Sequence, residues 1–163
     1  MSYYFDEDAA ERAVTFIERF CTHVKGELAG QPFILEDWQK IDIIRPLFGW
    51  KSEATGLRKY RTCYVEIPRK NGKSNLAAAI ALYLLFADGE PGAEIISAAG
   101  DRGQANIVFQ IAKEMINNNK HLRARAKVLR NIVEHKGSWY KSISAEAYTK
   151  HGLNCHGIIF DEL

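Results

Sequence analysis

The tripeptide Gly72-Lys73-Ser74 limits what this chain can fold into more than any other feature, because of the segments on either side of it. Residues 62–67 (Thr-Cys-Tyr-Val-Glu-Ile) are rich in strand-forming side chains, and the run stops at Pro68. A polar loop follows, and then an Ala/Leu-rich helix to about Phe86 that is apolar on nearly every side. A strand, a loop ending in Gly-Lys-Ser and a buried helix together predict a phosphate-binding loop.

The chemistry of such a loop explains the three residue types. Backbone N–H groups at the start of the helix point at the phosphates, and the helix dipole adds a favourable potential. Gly72 lets the backbone approach closely, Lys73 reaches the β- and γ-phosphates, and the Ser74 hydroxyl can bind Mg²⁺. The usual motif has a Gly where this chain has Ile67, so an ordinary polar loop that caps a helix is the alternative. The flanking strand and helix favour the phosphate site.

Two carboxylates follow a second predicted strand near the end of the sequence. Residues 158–160 are short and apolar, and Asp161 and Glu162 come directly after them. An Asp at the end of a buried strand can join the Mg²⁺ shell, and an adjacent Glu can polarise an attacking water. Ligands of open α/β sheets bind at the carboxyl ends of strands, so we expect both motifs at one edge of the sheet.

The other segments predict helices and strands in alternation. The two N-terminal helices are indicated by apolar residues at helical spacing, namely Ala10, Val14, Ile17, Cys21 and Val24 in the first and Trp38, Ile41, Ile44 and Leu47 in the second. Later segments predict a buried strand over 93–99, an amphipathic helix after Gly103 and a hairpin made of 128–134 and 139–144. The helix is indicated by Ala105, Val108, Phe109, Ala112, Met115 and Ile116. This order favours an α/β domain with a largely parallel sheet flanked by helices.

Composition sets the class of protein. With 163 residues and a net charge of +2, the chain has the size of one domain and is not a polyanion-binding tail as a whole. Its three Cys form no Cys-x-x-Cys pair, and its acidic start does not predict a signal peptide. The longest apolar run, 76–86, is shorter than the roughly 20 residues that cross a bilayer. We therefore expect a soluble, intracellular protein without a membrane partner.

A basic stretch is the remaining charge feature. Its members are Lys120, Arg123, Arg125, Lys127, Arg130, Lys136 and Lys141. A solvated face and contact with a DNA backbone are both open interpretations, because Lys/Arg clusters supply affinity for DNA of any sequence.

These motifs resemble the N-terminal ATPase domain of phage terminase large subunits, the motors that package DNA into procapsids. Residues 68–74 (Pro-Arg-Lys-Asn-Gly-Lys-Ser) are similar to the variant phosphate loop of that family, which lacks the first Gly and carries an Arg. Residues 32–39, which end in Trp-Gln, resemble its adenine-binding segment. Residues 97–99 with 101–105, and residues 144–145 with 151–154, are also similar to segments ahead of its Asp-Glu strand.

The resemblance implies a role for each matching residue. Gln39 would read the adenine edge, and ATP would be bound by Gln39, Arg69, Lys70, Asn71, Gly72, Lys73 and Ser74. Mg²⁺ would be held by Ser74 and Asp161. The catalytic residues would be Glu162, as the carboxylate, and Arg69, as the group that stabilises charge on the γ-phosphate.

The resemblance also implies an organisation and a set of partners. We expect a helical segment with the adenine motif over 1–50 and a partial P-loop NTPase-type core over 51–163, cut after the Walker B strand, with the family's coupling motif and endonuclease domain absent. Expected partners are double-stranded DNA, the portal protein, the terminase small subunit and, in the full-length protein, a homo-oligomeric ring in the bacterial cytoplasm. Two alternatives stay open: a related helicase-like DNA-dependent ATPase and a non-hydrolysing nucleotide-binding module.

Overall fold

The computed structural model describes residues 1–68, 70, 72–144, 146–147 and 154–161. The helices are α1 (Glu7–Phe20), a π-helical segment (Gln39–Ile44) that continues into α2 (Arg45–Gly49), α3 (Lys73–Phe86), α4 (Arg102–Asn117) and α5 (Lys120–Arg125). The strands are β1 (Tyr3–Phe5), β2 (Trp50–Ser52), β3 (Glu94–Ala99), β4 (Lys127–Val128), β5 (Ile132–His135), β6 (Ser138–Ser144) and β7 (Gly157–Phe160).

The main sheet has the strand order β4-β5-β6-β3-β7. Strand β3 runs parallel to both of its neighbours, with Ser97 opposite Ser142 on β6 and Ile159 on β7. Strand β5 is antiparallel to both of its neighbours, β4 and β6. All residues of β3 after Glu94 are buried, as expected for a strand covered on both faces. The predicted α/β class, with parallel strands at the centre and flanking helices, is confirmed.

Helix α3 is buried between other elements. It packs against α4 and α1 and also contacts β3, β6 and β7, which explains why its sequence is apolar all round. At β7 the approach is very close, since a Cβ on Gly157 would lie 2.5 Å from Cδ1 of Leu84. Helix α3 can therefore sit this close to β7 because residue 157 has no side chain.

The N-terminal helices share one hydrophobic core with the sheet. The stripe predicted for α1 is confirmed for Ala10, Val14 and Ile17, which are buried. It is wrong beyond them, because the backbone becomes extended at Cys21, the C-cap, and Val24 lies in the segment after the helix. Asp6 caps this helix by accepting a hydrogen bond from the backbone N–H of Ala9 at 3.0 Å. None of the helices in the described ranges has the length and apolar character that a bilayer span requires.

The predicted strand over 62–67 is wrong for the described structure. These residues have no strand assignment, and Tyr64 is 72% exposed. The described part of the sheet ends at β7, and no described strand pairs with 62–67. Because an extended segment becomes a strand only when a neighbour satisfies its N–H and C=O groups, strand-forming composition alone was not sufficient here.

The second N-terminal helix forms, but its predicted core face is partly wrong. Ile44 is fully buried, whereas Ile41 is 60% exposed and Ile43 is buried in its place. The reason is that residues 39–44 are π-helical. The wider turn breaks the three-and-four spacing on which the prediction rested.

The predicted hairpin is confirmed as β5 and β6, which pair antiparallel from Ile132↔Lys141 to His135↔Ser138. Its first strand is shorter than the predicted 128–134, because the chain turns where the Leu129 N–H donates to the Ile132 carbonyl at 2.9 Å, and Val128 belongs to β4. Lys136 and Gly137 form its two-residue turn, and both have positive φ. This backbone matches the twist of the strands that it connects.

The contact between α3 and β7 gives a stability prediction. Gly157→Ala should lower the free energy of unfolding by about 1–3 kcal/mol, because its new methyl group would overlap Leu84 in a packed core. Denaturant unfolding of this variant, of Leu84→Ala and of the double variant measures the effect. Additive losses in the double variant would show that the two side chains do not compete for this space.

Candidate nucleotide-binding site

The folded chain brings the phosphate loop and the acidic end of β7 together. Lys73 is the first residue of α3, and Asp161 directly follows β7, where its backbone N–H donates to the Ala98 carbonyl at 3.1 Å. The Lys73 Nζ lies 3.5 Å from Asp161 Oδ1. The Asp161 side chain is 8% exposed and that of Lys73 is 39% exposed. A buried carboxylate and a partly accessible ammonium group thus meet at the carboxyl end of the parallel strands.

The backbone of the loop is shaped for close approach to a ligand. Gly72 is the N-cap of α3 with φ +74°, and Lys70 has φ +67°. Left-handed backbone at a residue with a side chain costs about 1–3 kcal/mol and tends to occur at ligand sites. Because the N-cap residue is Gly, no side-chain hydrogen bond caps the start of α3. The N–H groups of the first turn are therefore open to an anion.

Gln39 lies beside this loop although it is far away in the sequence. It is 3% exposed, and its Oε1 accepts a hydrogen bond from the backbone N–H of Glu36 at 2.8 Å. A Cβ on Gly72 would lie 4.0 Å from the Gln39 Nε2. The fold thus brings Gln39 next to the phosphate loop.

Glu18 of α1 orders the segment that precedes Gln39. Its Oε2 accepts a hydrogen bond from the Leu35 N–H at 2.9 Å and lies 3.7 Å from the Lys40 Nζ. The position of the Gln39 backbone therefore depends on the N-terminal helix.

The residues present fit a phosphate chain with Mg²⁺. The carboxylate of Asp161 and the half-buried Ser74 hydroxyl are oxygen donors, the type that a small divalent cation takes. Lys73 supplies a positive point charge at the start of α3, where the N–H groups also favour negative charge.

Three of the predicted site residues lie outside the described residues, namely Arg69, Asn71 and Glu162. Lys70 is described and exposed. The structure therefore joins Gln39, Gly72, Lys73 and Asp161 into one site, with Ser74 in the same first turn of α3.

Two side-chain amides that bind Thr22, one in the first turn of α3 and one at the end of α4, were not found from the sequence. The Asn75 Nδ2 donates to the Thr22 carbonyl at 3.4 Å, and the Asn118 Nδ2 donates to the Thr22 Oγ1 at 3.0 Å. Thr22 thus links α3 and the end of α4 to the segment after α1. The three residues are widely separated along the chain, so no local pattern could have related them.

Comparison with known proteins agrees with this geometry. The mixed sheet with its parallel strands β6, β3 and β7, the Gly-Lys-Ser loop and the adjacent Asp define a P-loop NTPase-type domain. Residues 37–163 match the family model described as the terminase large subunit, ATPase domain. The chain belongs to this family.

A sequence match and a structural match, both to the HK97 large terminase, support the assignment. The terminase large subunit of Enterobacteria phage HK97 is 37% identical over 162 residues, which cover 93% of this chain and 30% of that protein. The crystal structure of the HK97 bacteriophage large terminase superposes with a TM-score of 0.77 and 34% identity, over 94% of this chain and 31% of that one. The chain thus spans about 30% of the length of these relatives.

The left-handed Gly72 gives a matched test of the loop. Gly72→Ala and Gly137→Ala place a methyl group at similar positive φ, the second in the β5–β6 turn. Among the described residues other than the chain neighbours, no atom lies closer than 4.0 Å to that methyl group in either case. Both should lower the free energy of unfolding by about 1–2 kcal/mol. Only Gly72→Ala should also weaken ATP binding in a calorimetric titration. Equal ATP affinities in the two variants would contradict a phosphate-binding role for the loop.

Proposed function

We propose that this chain is the ATP-binding and ATP-hydrolysing motor domain of a phage terminase large subunit, and that it powers the packaging of double-stranded DNA into procapsids. The observation that carries the proposal is the meeting of Lys73 and Asp161 at 3.5 Å, in a chain of the terminase ATPase family. In P-loop enzymes, a Lys of the loop binds the β- and γ-phosphates, and an Asp at the end of a neighbouring strand supports Mg²⁺.

The proposed roles follow the chemistry of the side chains. Gln39 reads the adenine edge, while Lys70, Asn71 and Gly72 line the phosphates with their backbone. Ser74 and Asp161 hold Mg²⁺, which neutralises charge on the phosphate oxygens when it is bound. Glu162 orients and polarises the attacking water. The guanidinium of Arg69 stabilises charge that develops on the γ-phosphate.

We further propose that the 163-residue chain alone hydrolyses ATP weakly. Residues 62–67, which lead into the phosphate loop, are largely exposed and are not held in the described sheet. Catalysis of phosphoryl transfer depends mainly on accurate positioning, and a loop whose lead-in is not fixed positions phosphates poorly.

The proposed organisation keeps the two parts expected from the sequence, with residues 1–50 supplying the adenine motif and 51–163 the P-loop core. In the longer protein, the proposed partners are the portal protein and the terminase small subunit, in a ring of subunits in the bacterial cytoplasm. The same longer protein would carry the endonuclease.

Two variants separate binding from chemistry. Lys73→Ala should abolish ATP binding by the 163-residue chain, because it removes the ammonium group at the start of α3. Glu162→Gln should retain Mg·ATP binding and lose turnover in the full-length enzyme, because the amide keeps the shape but cannot act as a base. Calorimetric titration and phosphate release measure the two properties.

The outcomes discriminate between functions. Unchanged ATP affinity in Lys73→Ala would contradict the assignment of the loop. Parental turnover in Glu162→Gln would remove Glu162 from the catalytic role. Nucleotide binding with no hydrolysis by the parental full-length enzyme would favour a non-hydrolysing module.

The basic stretch supports the proposal of DNA as a partner. Residues 120–141 carry a net charge of +6, whereas the whole chain carries +2. They form α5, β4, β5 and the turn into β6, at the edge of the sheet opposite β7. Most of their Lys and Arg side chains are exposed, namely Lys120, Arg123, Arg125, Lys127, Arg130 and Lys136. A positive surface of this kind suits the phosphate backbone of a duplex.

Charge removal tests the DNA surface. Lys120→Gln with Lys136→Gln should weaken binding to a random-sequence duplex and reduce the slope of log affinity against log salt by about two, because two phosphate contacts are lost. Lys25→Gln with Arg19→Gln removes the same charge from exposed positions elsewhere and is the control. Equal slopes for the two double variants would place the DNA contact on another surface.

A further inference from the structure

A buried ion cluster lies at the end of α3 that is remote from the nucleotide site. Its centre is Asp88, which follows the helix and whose side chain is 8% exposed. The backbone N–H of Asp88 donates to the Tyr83 carbonyl at 3.1 Å, so the carboxylate is fixed to the last turn of α3.

Two basic side chains converge on this carboxylate. The Arg58 Nη1 lies 2.8 Å from Oδ1 and 2.9 Å from Oδ2, and the His156 Nε2 lies 2.6 Å from Oδ2. Burial raises the pKa of Asp88, but the hydrogen bond from His156 and the charge of Arg58 outweigh it and hold this pKa below its usual value. Asp88 is therefore an ionised group that both partners stabilise.

The partners come from two different elements. His156 directly precedes β7, and its backbone N–H donates to the Glu94 carbonyl at 2.9 Å, which sets the register of β7 on β3. Arg58 lies in the segment after β2, where its guanidinium stacks over the Phe48 ring of α2 at 5.4 Å. The cluster thus joins α3, β7 and the N-terminal helices.

The geometry connects this cluster with the nucleotide site at the other end of the same two elements. Helix α3 begins with Lys73 and β7 leads into Asp161, and these two residues are 3.5 Å apart. Between the ends, Gly157 lets Leu84 pack directly on β7. Helix α3 and strand β7 are therefore joined at both ends, by Lys73–Asp161 and by Asp88–His156.

From this geometry we infer that Asp88, with Arg58 and His156, is a positioning residue of the nucleotide site. It fixes α3 against β7, and so sets the separation between the Lys73 ammonium and the Asp161 carboxylate. The inference rests on the proposed function, since it concerns how this site holds Mg·ATP. A substitution remote from both of two coupled sites can change their coupling by about two- to thirtyfold.

The test uses Asp88→Asn in the 163-residue chain and compares ATP affinity with and without Mg²⁺. The gain in affinity that Mg²⁺ provides should fall about tenfold, within the range for remote coupling, while Mg-free binding changes little. Asp6→Asn is the matched control, because Asp6 is likewise ion-paired, to Lys51 at 2.8 Å, but lies at the start of α1. In an Asp161→Asn background, Asp88→Asn should cause no further loss, since it acts through Asp161.

A measurement without nucleotide separates this inference from the proposed function. Amide hydrogen exchange at Asp161 should become faster in Asp88→Asn than in Asp6→Asn, relative to the amide of Val133 in β5 in each variant. If the parental chain binds no ATP, the proposed function fails, and the exchange result still decides whether Asp88 positions β7. Unaltered relative exchange at Asp161, or equal Mg²⁺ dependence in Asp88→Asn and Asp6→Asn, overturns the inference.

A second pair of variants covers the case in which Asp88→Asn does not fold. His156→Leu removes one of the two partners and should reproduce the loss of Mg²⁺ dependence. His156→Gln keeps a side-chain N–H donor and should restore it. Equal behaviour of the Leu and Gln variants would contradict a role for the His156–Asp88 hydrogen bond.

Discussion

The packing of α3 against the parallel strands is the constraint on which the rest of the molecule depends. This helix has four buried leucines, and burying each contributes roughly 2 kcal/mol. Because α1, α4 and the sheet all contact it, it has no polar face. Its polar interactions are consequently confined to its two ends, where the chain enters and leaves the core.

The polar interactions at the two ends of α3 differ. At the start, a left-handed Gly replaces a capping side chain, so N–H groups and the Lys73 ammonium stay available to an anion. At the far end, Asp88 is enclosed by Arg58 and His156. One end is thus open and suited to a ligand, and the other is closed by ion pairs that add rigidity without exposing charge.

Two of the corrected predictions have the same origin. Residues 62–67 have the composition of a strand, but a strand exists only when a neighbour accepts its hydrogen bonds, and the described residues supply none. Ile41 has the spacing of a core residue, but the π-helical turn rotates it into solvent. In both cases the local sequence has the pattern of the predicted element. The surrounding backbone decided whether a strand formed and which side chain was buried.

The sequence by itself determined the elements and the chemistry of the site: the α1 stripe, the buried strand β3, the β5–β6 hairpin, and the Gly-Lys-Ser and Asp-Glu motifs. These are local patterns, and a single helix or strand expresses them. Only the tertiary structure decided which distant residues meet, as Gln39 does with Gly72, Lys73 with Asp161, and Asp88 with Arg58 and His156. Such contacts arise from the packing of α3 on β7 and α1, and no periodicity along the chain encodes a contact between residues dozens of positions apart.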